Sequence, residues 1–381
     1  MNKLSIFGFT GSIGSQALDL LEGKDEYDYH IFICNKNIEK AEYVLEKFKP
    51  KYLFFSDQSA SQKFNSKKFP STNLILSKEE LLKVIHDEPS DVYLSAISSF
   101  EMIDVTYLLA KSGKKILLAN KESLVIFGRV IMDEAQINNT KIIPIDSEHY
   151  SIYHSLKNAK IQNIKKIFLM ASGGPFHGVA LEDAIQKSPE EALNHPNWDM
   201  GKKITIDSAS LVNKCFEVIE AHHLFGVDFS KLGILIEPKS LIHSMVEFID
   251  GSFEAQISTP SMSFPLSYGL FNERSKMLYE KFSFDISSSK TELSISPFPD
   301  DRKFLLEITE DVISKGQNRG LIFAAVNDFA VKKFLKKEIN FGDIYNLIRD
   351  KYDYFEKQEI TTIEMLKANT TEIQKTLKLA K

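Results

Sequence analysis

"KLSIFGFTGSIGSQALDLLEG", Lys3 to Gly23, runs from apolar residues through three glycines into a segment whose apolar residues recur at helical spacing. The stretch reads as a strand, a turn built on Gly8, Gly11 and Gly14, and a helix stopped at Gly23. Strand, glycine turn and helix in immediate succession open a βαβ unit. Glycines there let the backbone approach a pyrophosphate, whose charge is met by N–H groups at the helix start. The spacing GxxGxxG is one residue looser than the usual dinucleotide fingerprint, and an ordinary tight βα turn has the same composition.

The alternation continues. Strands are expected at "YHIFIC", "KYLFFS", "NLILS", "DVYLSAI", "KKILLAN" and "KIIPID", with helices at "NIEKAEYVLEKF", "KEELLKVIH" and "MIDVTYLLAKSG", the last closed by Gly113. Residues 1–145 are therefore expected to form an α/β, Rossmann-like doubly wound parallel sheet. From 146 to 272 the pattern becomes α+β: a strand at "KKIFLMAS", one long helix over "DSASLVNKCFEVIEAHHLF", then strands at "ILIEP", "IHSMVEF" and "FEAQIS". The Ser-rich segment 273–298 reads as a linker. Four amphipathic segments over 299–381 read as a small C-terminal helical bundle. No internal repeat is seen.

Composition narrows the function classes. The 381 residues are 43% hydrophobic and 26% charged with a formal net charge of -5, and no dense basic patch offers itself to nucleic acid. Cys34 and Cys215 are the only cysteines and form no CxxC, which argues against a disulfide framework or a zinc cluster and for a reducing compartment. The first residues lack the apolar core of an export signal, and no run approaches the ~20 apolar residues of a spanning helix. A cytoplasmic protein without membrane or nucleic-acid partners is expected.

Several motifs then carry chemistry. The second strand ends in "CNKN": Asn35, Lys36 and Asn37 replace the acid that NAD-binding folds place about 20 residues after the glycines. Lys36 would attract a 2′-phosphate, which favours NADP, although a solvated strand-end lysine would look the same. The sixth strand ends in "LLANKES", and Asn120, Lys121 and Glu122 should face the crevice at the carboxyl ends of the strands. Lys121 could polarise a carbonyl or receive an anion; as a plain first-turn residue it would oppose the helix dipole.

"PIDSEHY", Pro144 to Tyr150, sets Asp146 and Glu148 two positions apart, on one side of an extended chain. Two carboxylates so close invite a hard cation, Mg²⁺ or Mn²⁺. The same residues could simply open the helix "SEHYSIYHSLK". On the helix read over 207–222, Ser210, Asn213, Lys214 and Glu217 recur at three and four residues and so share a face, which supplies a third acid unless that face is merely solvated. "MASGGPFHG" puts Ser172, Gly173 and Gly174 in a turn whose N–H groups could line an anion site. "NHPNWDMGKK" holds the only tryptophan, Trp198, in a polar segment that suits either a lid or a surface loop.

Taken in order, "GFTGSIG", "LLANKESLV", "PIDSEH", "SGGPF", "HPNWDMGKKITIDSASLVNK" and "IHSMVEFIDGS" resemble the 1-deoxy-D-xylulose 5-phosphate reductoisomerases over essentially the whole chain. The resemblance implies an NADPH-dependent, divalent-metal-dependent oxidoreductase of the non-mevalonate (MEP) pathway to isoprenoid precursors. Such an enzyme rearranges and reduces 1-deoxy-D-xylulose 5-phosphate to 2-C-methyl-D-erythritol 4-phosphate. It implies that Thr10, Gly11, Ser12 and Ile13 hold the cofactor phosphates, that Asn35, Lys36 and Asn37 meet the 2′-phosphate, and that Asn120, Glu122 and Gly201 add cofactor contacts. Asp146, Glu148 and Glu217 would bind the metal. Lys121, Ser147, Ser172, His195, Ser208, Asn213 and Lys214 would contact the substrate, with Glu148 and Glu217 reaching it through the metal and Trp198 covering it from a flexible loop near 192–202. Lys121 and the three acids would be the catalytic set. Residues 146–272 would also supply dimerisation in a homodimer.

Two positions and one segment depart from the family pattern: Asn35 where glycine is frequent, Cys215 where glycine is usual, and "AISSFEM" in place of a Gly/Ala-rich segment. None removes a charged ligand. Two other readings share the glycine loop: an NADP-dependent polyol or sugar phosphate dehydrogenase without skeletal rearrangement would not need the acid trio, and a non-enzymatic nucleotide sensor would ignore divalent ions.

Overall fold

The structure is a computed structural model that describes residues 1–97, 100–157, 159–283 and 292–379. The chain forms two compact units. Unit 1 comprises 1–120, 131–146 and 262–279; unit 2 comprises 121–130, 147–261 and 280–381.

Unit 1 is built on seven strands, β1 Asn2–Phe7, β2 Tyr27–Cys34, β3 Tyr52–Phe55, β4 Asn73–Ile75, β5 Val92–Ser95, β6 Lys115–Leu118 and β7 Lys141–Pro144. All pair in parallel in the order β4-β3-β2-β1-β5-β6-β7. Ile31–Cys34 of β2 and all of β5 are buried, the near-continuous apolar signature of strands covered on both faces. The helices between them obey local chemistry: Asn37 caps Ile38–Phe48 and Ser77 caps Lys78–Asp87, each accepting a backbone N–H. Gly23 and Gly113 take the left-handed conformation just past their helices. The strand order reverses between β1 and β5, the switch point where ligands bind in open α/β sheets.

Unit 2 holds a mixed sheet of β8 Ile164–Ala171, β9 Leu232–Ile236, β10 Ile242–Phe248, β11 Phe253–Ile257 and β12 Ser296–Pro297, in the order β11-β10-β8-β9-β12. Only β8 and β9 are parallel. Ile167, Leu169, Ile236 and Val246 pack with Leu211 and Val218 into one core. The C-terminal helices Phe304–Lys315, Arg319–Leu335, Phe341–Tyr354 and Ile363–Leu379 belong to the same unit, packing on the helices that carry residues 202–225.

Four sequence-based expectations change. The segment 207–225 is two helices, Lys202–Ala209 and Val212–Phe225, separated at Leu211, whose φ of 65° no α-helix accommodates. Strand β7 ends at Pro144 and a helix opens at Ser147, so strand alternation does not relate Asp146 to Glu148. The expected linker contains the helix Met277–Phe282 and edge strand β12, while 284–291 lie outside the described residues, as do Ser98 and Ser99 of "AISSFEM". Finally, 262–279, read as the end of the α+β region up to 272 and as the start of the linker beyond it, belongs to unit 1 and carries the helix Ser263–Phe271.

Candidate functional site

In unit 1 the glycine turn has the shape a phosphate loop needs. Gly8 sits at φ 92°, and a Cβ there would lie 2.5 Å from the Ala96 carbonyl oxygen beyond β5. A Cβ on Gly14 would lie 2.3 Å from the Gly8 oxygen, so the turn closes on itself only without side chains. Gly11 caps the helix Ser12–Leu21 with no side-chain bond to its first N–H groups. Thr10, Gly11, Ser12 and Ile13 all lie at least partly exposed around that helix start. Lys40, which sequence reading missed, donates its ammonium to the Thr10 carbonyl at 3.0 Å and to Ser15 Oγ at 2.6 Å. Its only sequence signal is its place one turn into the helix after "CNKN". Asn35, Lys36 and Asn37 are exposed; Asn35 Oδ1 accepts from Ser56 Oγ, and Asn37 Oδ1 accepts the Lys40 backbone N–H. Asn120 is buried at the end of the segment after β6.

Unit 2 gathers the charged residues. Glu217, 2% exposed, accepts from Lys121 Nζ at 3.0 Å, from the Asn213 amide and from the Lys214 ammonium. Lys214 also bonds Glu148 Oε1 at 2.7 Å, while Ser147 Oγ donates to Glu148 Oε2 at 2.6 Å. Lys121 reaches Asn213 Oδ1 at 2.9 Å. The carboxylates of Glu148 and Glu217 lie within 4.8 Å of one another, a separation made tolerable by the two buried ammonium groups. Asp146 closes unit 1 and is two residues from Glu148 along the chain. All three acids offer hard oxygen donors, which suit Mg²⁺ or Mn²⁺.

Val212–Phe225 places Asn213, Lys214 and Glu217 on one face. Ser210 does not share it: the helix break turns it inward, fully buried, with its hydroxyl on the Asp207 carbonyl. His149, given no role from sequence, donates Nε2–H to the Glu217 main-chain oxygen at 2.8 Å and faces the buried Glu220 through Nδ1 at 3.5 Å.

A second cluster holds Ser172 and His195, whose Oγ and Nε2 are 3.1 Å apart. Burial holds the His195 pKa below its usual value. The Gly173–Gly174 turn is left-handed at both residues, but the Gly174 N–H donates to Ser172 Oγ rather than facing outward as expected. A Cβ on Gly174 would stand 2.9 Å from the Ser208 carbonyl oxygen, which shows how closely Ser208 packs on this turn. Trp198 is half-buried, its indole edge-on to His243. Gly201 is exposed and caps Lys202–Ala209. Glu122 receives Lys203 Nζ at 3.3 Å; Lys203 also pairs with buried Asp207 at 2.6 Å.

Among the described residues no helix is long and apolar enough to cross a membrane. Family models described as 1-deoxy-D-xylulose 5-phosphate reductoisomerase match residues 4–128, and models of its C-terminal domains match 142–225 and 257–376. A reductoisomerase of this name from Clostridium botulinum (strain Alaska E43 / Type E3) is 38% identical over 99% of this chain and 98% of its own. One from Francisella tularensis subsp. novicida is 38% identical over 90% and 89%. The solved reductoisomerase of Zymomonas mobilis in complex with NADPH superposes with a TM-score of 0.89 at 30% identity, covering 99% and 98% of the two chains. A further one, in complex with NADPH, fosmidomycin and magnesium, gives 0.90 at 31% identity over 99% and 98%. With its glycine turn, its lysine-paired carboxylates and these full-length likenesses together, the chain belongs to the 1-deoxy-D-xylulose 5-phosphate reductoisomerase family.

Proposed function

We propose that the side chains assembled above divide the family's reaction between them. As a member of that family the protein is an NADP-dependent oxidoreductase of the MEP pathway. It converts 1-deoxy-D-xylulose 5-phosphate to 2-C-methyl-D-erythritol 4-phosphate and uses NADPH and a divalent cation. The observation that carries the division is the pairing of Glu148 and Glu217 through Lys214, with Lys121 on the second oxygen of Glu217.

Asp146, Glu148 and Glu217 would hold the cation, Mg²⁺ or Mn²⁺, which when bound supplies Lewis-acid polarisation of the ketone and its neighbouring hydroxyl. Lys121, buried and aimed at the same carboxylate, adds positive potential where the oxyanion develops. Ser147 contacts the sugar beside Glu148. Ser172, His195, Ser208, Asn213 and Lys214 anchor the phosphate, so binding energy remote from the reacting carbons can order the segment carrying Trp198. Thr10 to Ile13 receive the cofactor pyrophosphate, Lys36 the 2′-phosphate beside Asn35 and Asn37, and Asn120, Glu122 and Gly201 complete the cofactor contacts. Residues 1–120 and 131–145 act as the NADPH-binding part, with 262–279 packed in the same unit, and 147–261 act as the catalytic and dimerisation part, with 299–381 as its helical support. The protein works in the cytoplasm as a homodimer; edge strand β11, with Phe253 and Ile257 exposed, supports self-association.

The deciding assay follows NADPH absorbance with 1-deoxy-D-xylulose 5-phosphate, with and without Mg²⁺ or Mn²⁺, and identifies the product. Metal-dependent oxidation of NADPH with a branched product is expected. An unbranched product would instead mark a dehydrogenase without rearrangement.

A further inference from the structure

Strands β8 and β9 are paired in parallel, with Ala171 opposite Ile236, so Ser172 and Glu237 leave the sheet side by side, and the Glu237 N–H bonds the Ala171 carbonyl at 2.8 Å. Glu237 is fully buried, yet its carboxylate is satisfied by backbone alone. Oε1 accepts from Lys239 N at 3.1 Å, and Oε2 from Leu241 N at 2.7 Å and Ile242 N at 3.3 Å. Those bonds wrap residues 238–242 into a fixed turn in which Ser240 is held at φ 54°, a conformation a serine does not take without such support.

On that turn rests one side chain from the neighbouring loop. Asn197 Nδ2 donates to the Pro238 carbonyl at 2.6 Å and to Ser240 Oγ at 2.9 Å; a carbonyl can only accept, so the amide orientation is unambiguous. Anchored there, Asn197 and Trp198 both aim their backbone N–H groups at His195 Nδ1, each at 3.1 Å. A nitrogen that accepts from two donors carries no proton, so the neutral ring holds its proton on Nε2 and donates it to Ser172 Oγ. Ser172 Oγ also accepts from Gly174 N at 3.1 Å. Both lone pairs of the hydroxyl are then engaged, and its single proton is left to donate elsewhere.

We propose that Asn197 and Glu237 are positioning residues that lock His195 in the Nε2–H tautomer and thereby turn the Ser172 hydroxyl proton toward a phosphate oxygen of the substrate. The lock rests on the reading of Ser172 and His195 as phosphate contacts. It specifies which way each hydrogen bond there runs. The depressed pKa of half-buried His195 is in keeping with it, because a proton on Nδ1 would face two N–H donors.

Ring-¹⁵N correlation spectra of the full-length protein near neutral pH test the lock directly, with the His195 signal identified by its loss in His195→Gln. The Nε2–H pattern is expected, and the Nδ1–H pattern overturns the proposal. Asn197→Ala should return the ring to a tautomer mixture and raise the KM for 1-deoxy-D-xylulose 5-phosphate about tenfold, the worth of one or two hydrogen bonds, with the KM for NADPH within about twofold. Glu237→Gln, which keeps shape but removes charge from the turn, should act in the same direction more weakly. A sugar-phosphate KM unmoved in both variants sinks the positioning role. Ser172→Ala separates the underlying reading: if the sugar-phosphate KM does not rise, Ser172 is no phosphate contact, whatever tautomer the spectra show.

Discussion

Lys214 serves two carboxylates at once, and that double duty sets what a change at Glu217 does. Glutamine at 217 keeps the volume and one oxygen for Lys121 but deletes the charge that both ammonium groups rely on and that the proposed cation would need. Removing one partner from a buried charge set leaves the others uncompensated. Glu217→Gln is therefore expected to lower turnover at least about 100-fold, the cost of losing one key electrostatic group. Its affinity for NADPH, followed by cofactor fluorescence, should stay within about twofold of the parent, since the glycine turn lies in the other unit. An active, metal-independent variant would refute the three-acid assignment.

His30 argues a second case at the same level. It is 2% exposed in β2, bonded through Nδ1 to Ser90 Oγ at 2.8 Å, and burial lowers its pKa from 6.5 to about 4. The unfolded chain therefore binds a proton below pH 6.5 that the folded chain refuses. Its contribution is fully present above that pH and drains away as the pH falls toward 4, by at most about 1.4 kcal/mol per pH unit. Urea unfolding at pH 7 and pH 5 should show a smaller loss in His30→Gln than in the parent. Lys121, Glu148, Lys214 and Glu217 were legible in the sequence by their charge and their spacing. Glu237 was not, because its partners are backbone N–H groups and no residue type announces them.

Among elements, the glycine turn after β1 was readable because apolar strand, glycines and helical period agree, and each glycine has a steric reason. Gly14→Ala would push a Cβ to 2.3 Å from the Gly8 oxygen and 2.5 Å from the Phe9 Cα, both backbone atoms with nowhere to yield. The variant is expected to lose about 1–3 kcal/mol of stability and to raise the KM for NADPH more than that for the sugar phosphate. Thermal unfolding and steady-state kinetics read the two effects. An unchanged cofactor KM in a folded Gly14→Ala protein would mean that the turn does not hold the nucleotide. The break at Leu211 escaped notice for the opposite reason. Leucine is a good helix former, yet Leu211 takes its positive φ buried in the core that also holds Leu169, Val218 and Ile236. That tertiary demand also removed Ser210 from the face on which Asn213, Lys214 and Glu217 remain.

For the molecule as a whole, period and turn chemistry gave the parallel sheet strand by strand, because βαβ units are local. They could not assign 262–279 to unit 1, since that placement depends on packing against elements far away in sequence, such as the Leu270 carbonyl receiving the Tyr27 hydroxyl at 2.5 Å. The division into units has a functional consequence. The glycine turn and "CNKN" belong to unit 1, with Asp146 at its end, whereas Glu148, Glu217 and both lysines belong to unit 2. Chelating the cation should therefore abolish turnover without releasing NADPH. After EDTA treatment and desalting, cofactor binding is expected within about threefold of the untreated protein, and activity below about 1%, returning on addition of Mg²⁺ or Mn²⁺. If the proposed carboxylate set holds the metal in the folded chain alone, the metal should also raise the melting temperature as its concentration passes the dissociation constant. The same titration on Glu217→Gln should give a markedly smaller shift. Full activity in the chelated protein, or an equal melting shift in that variant, would place the cation somewhere other than on Asp146, Glu148 and Glu217.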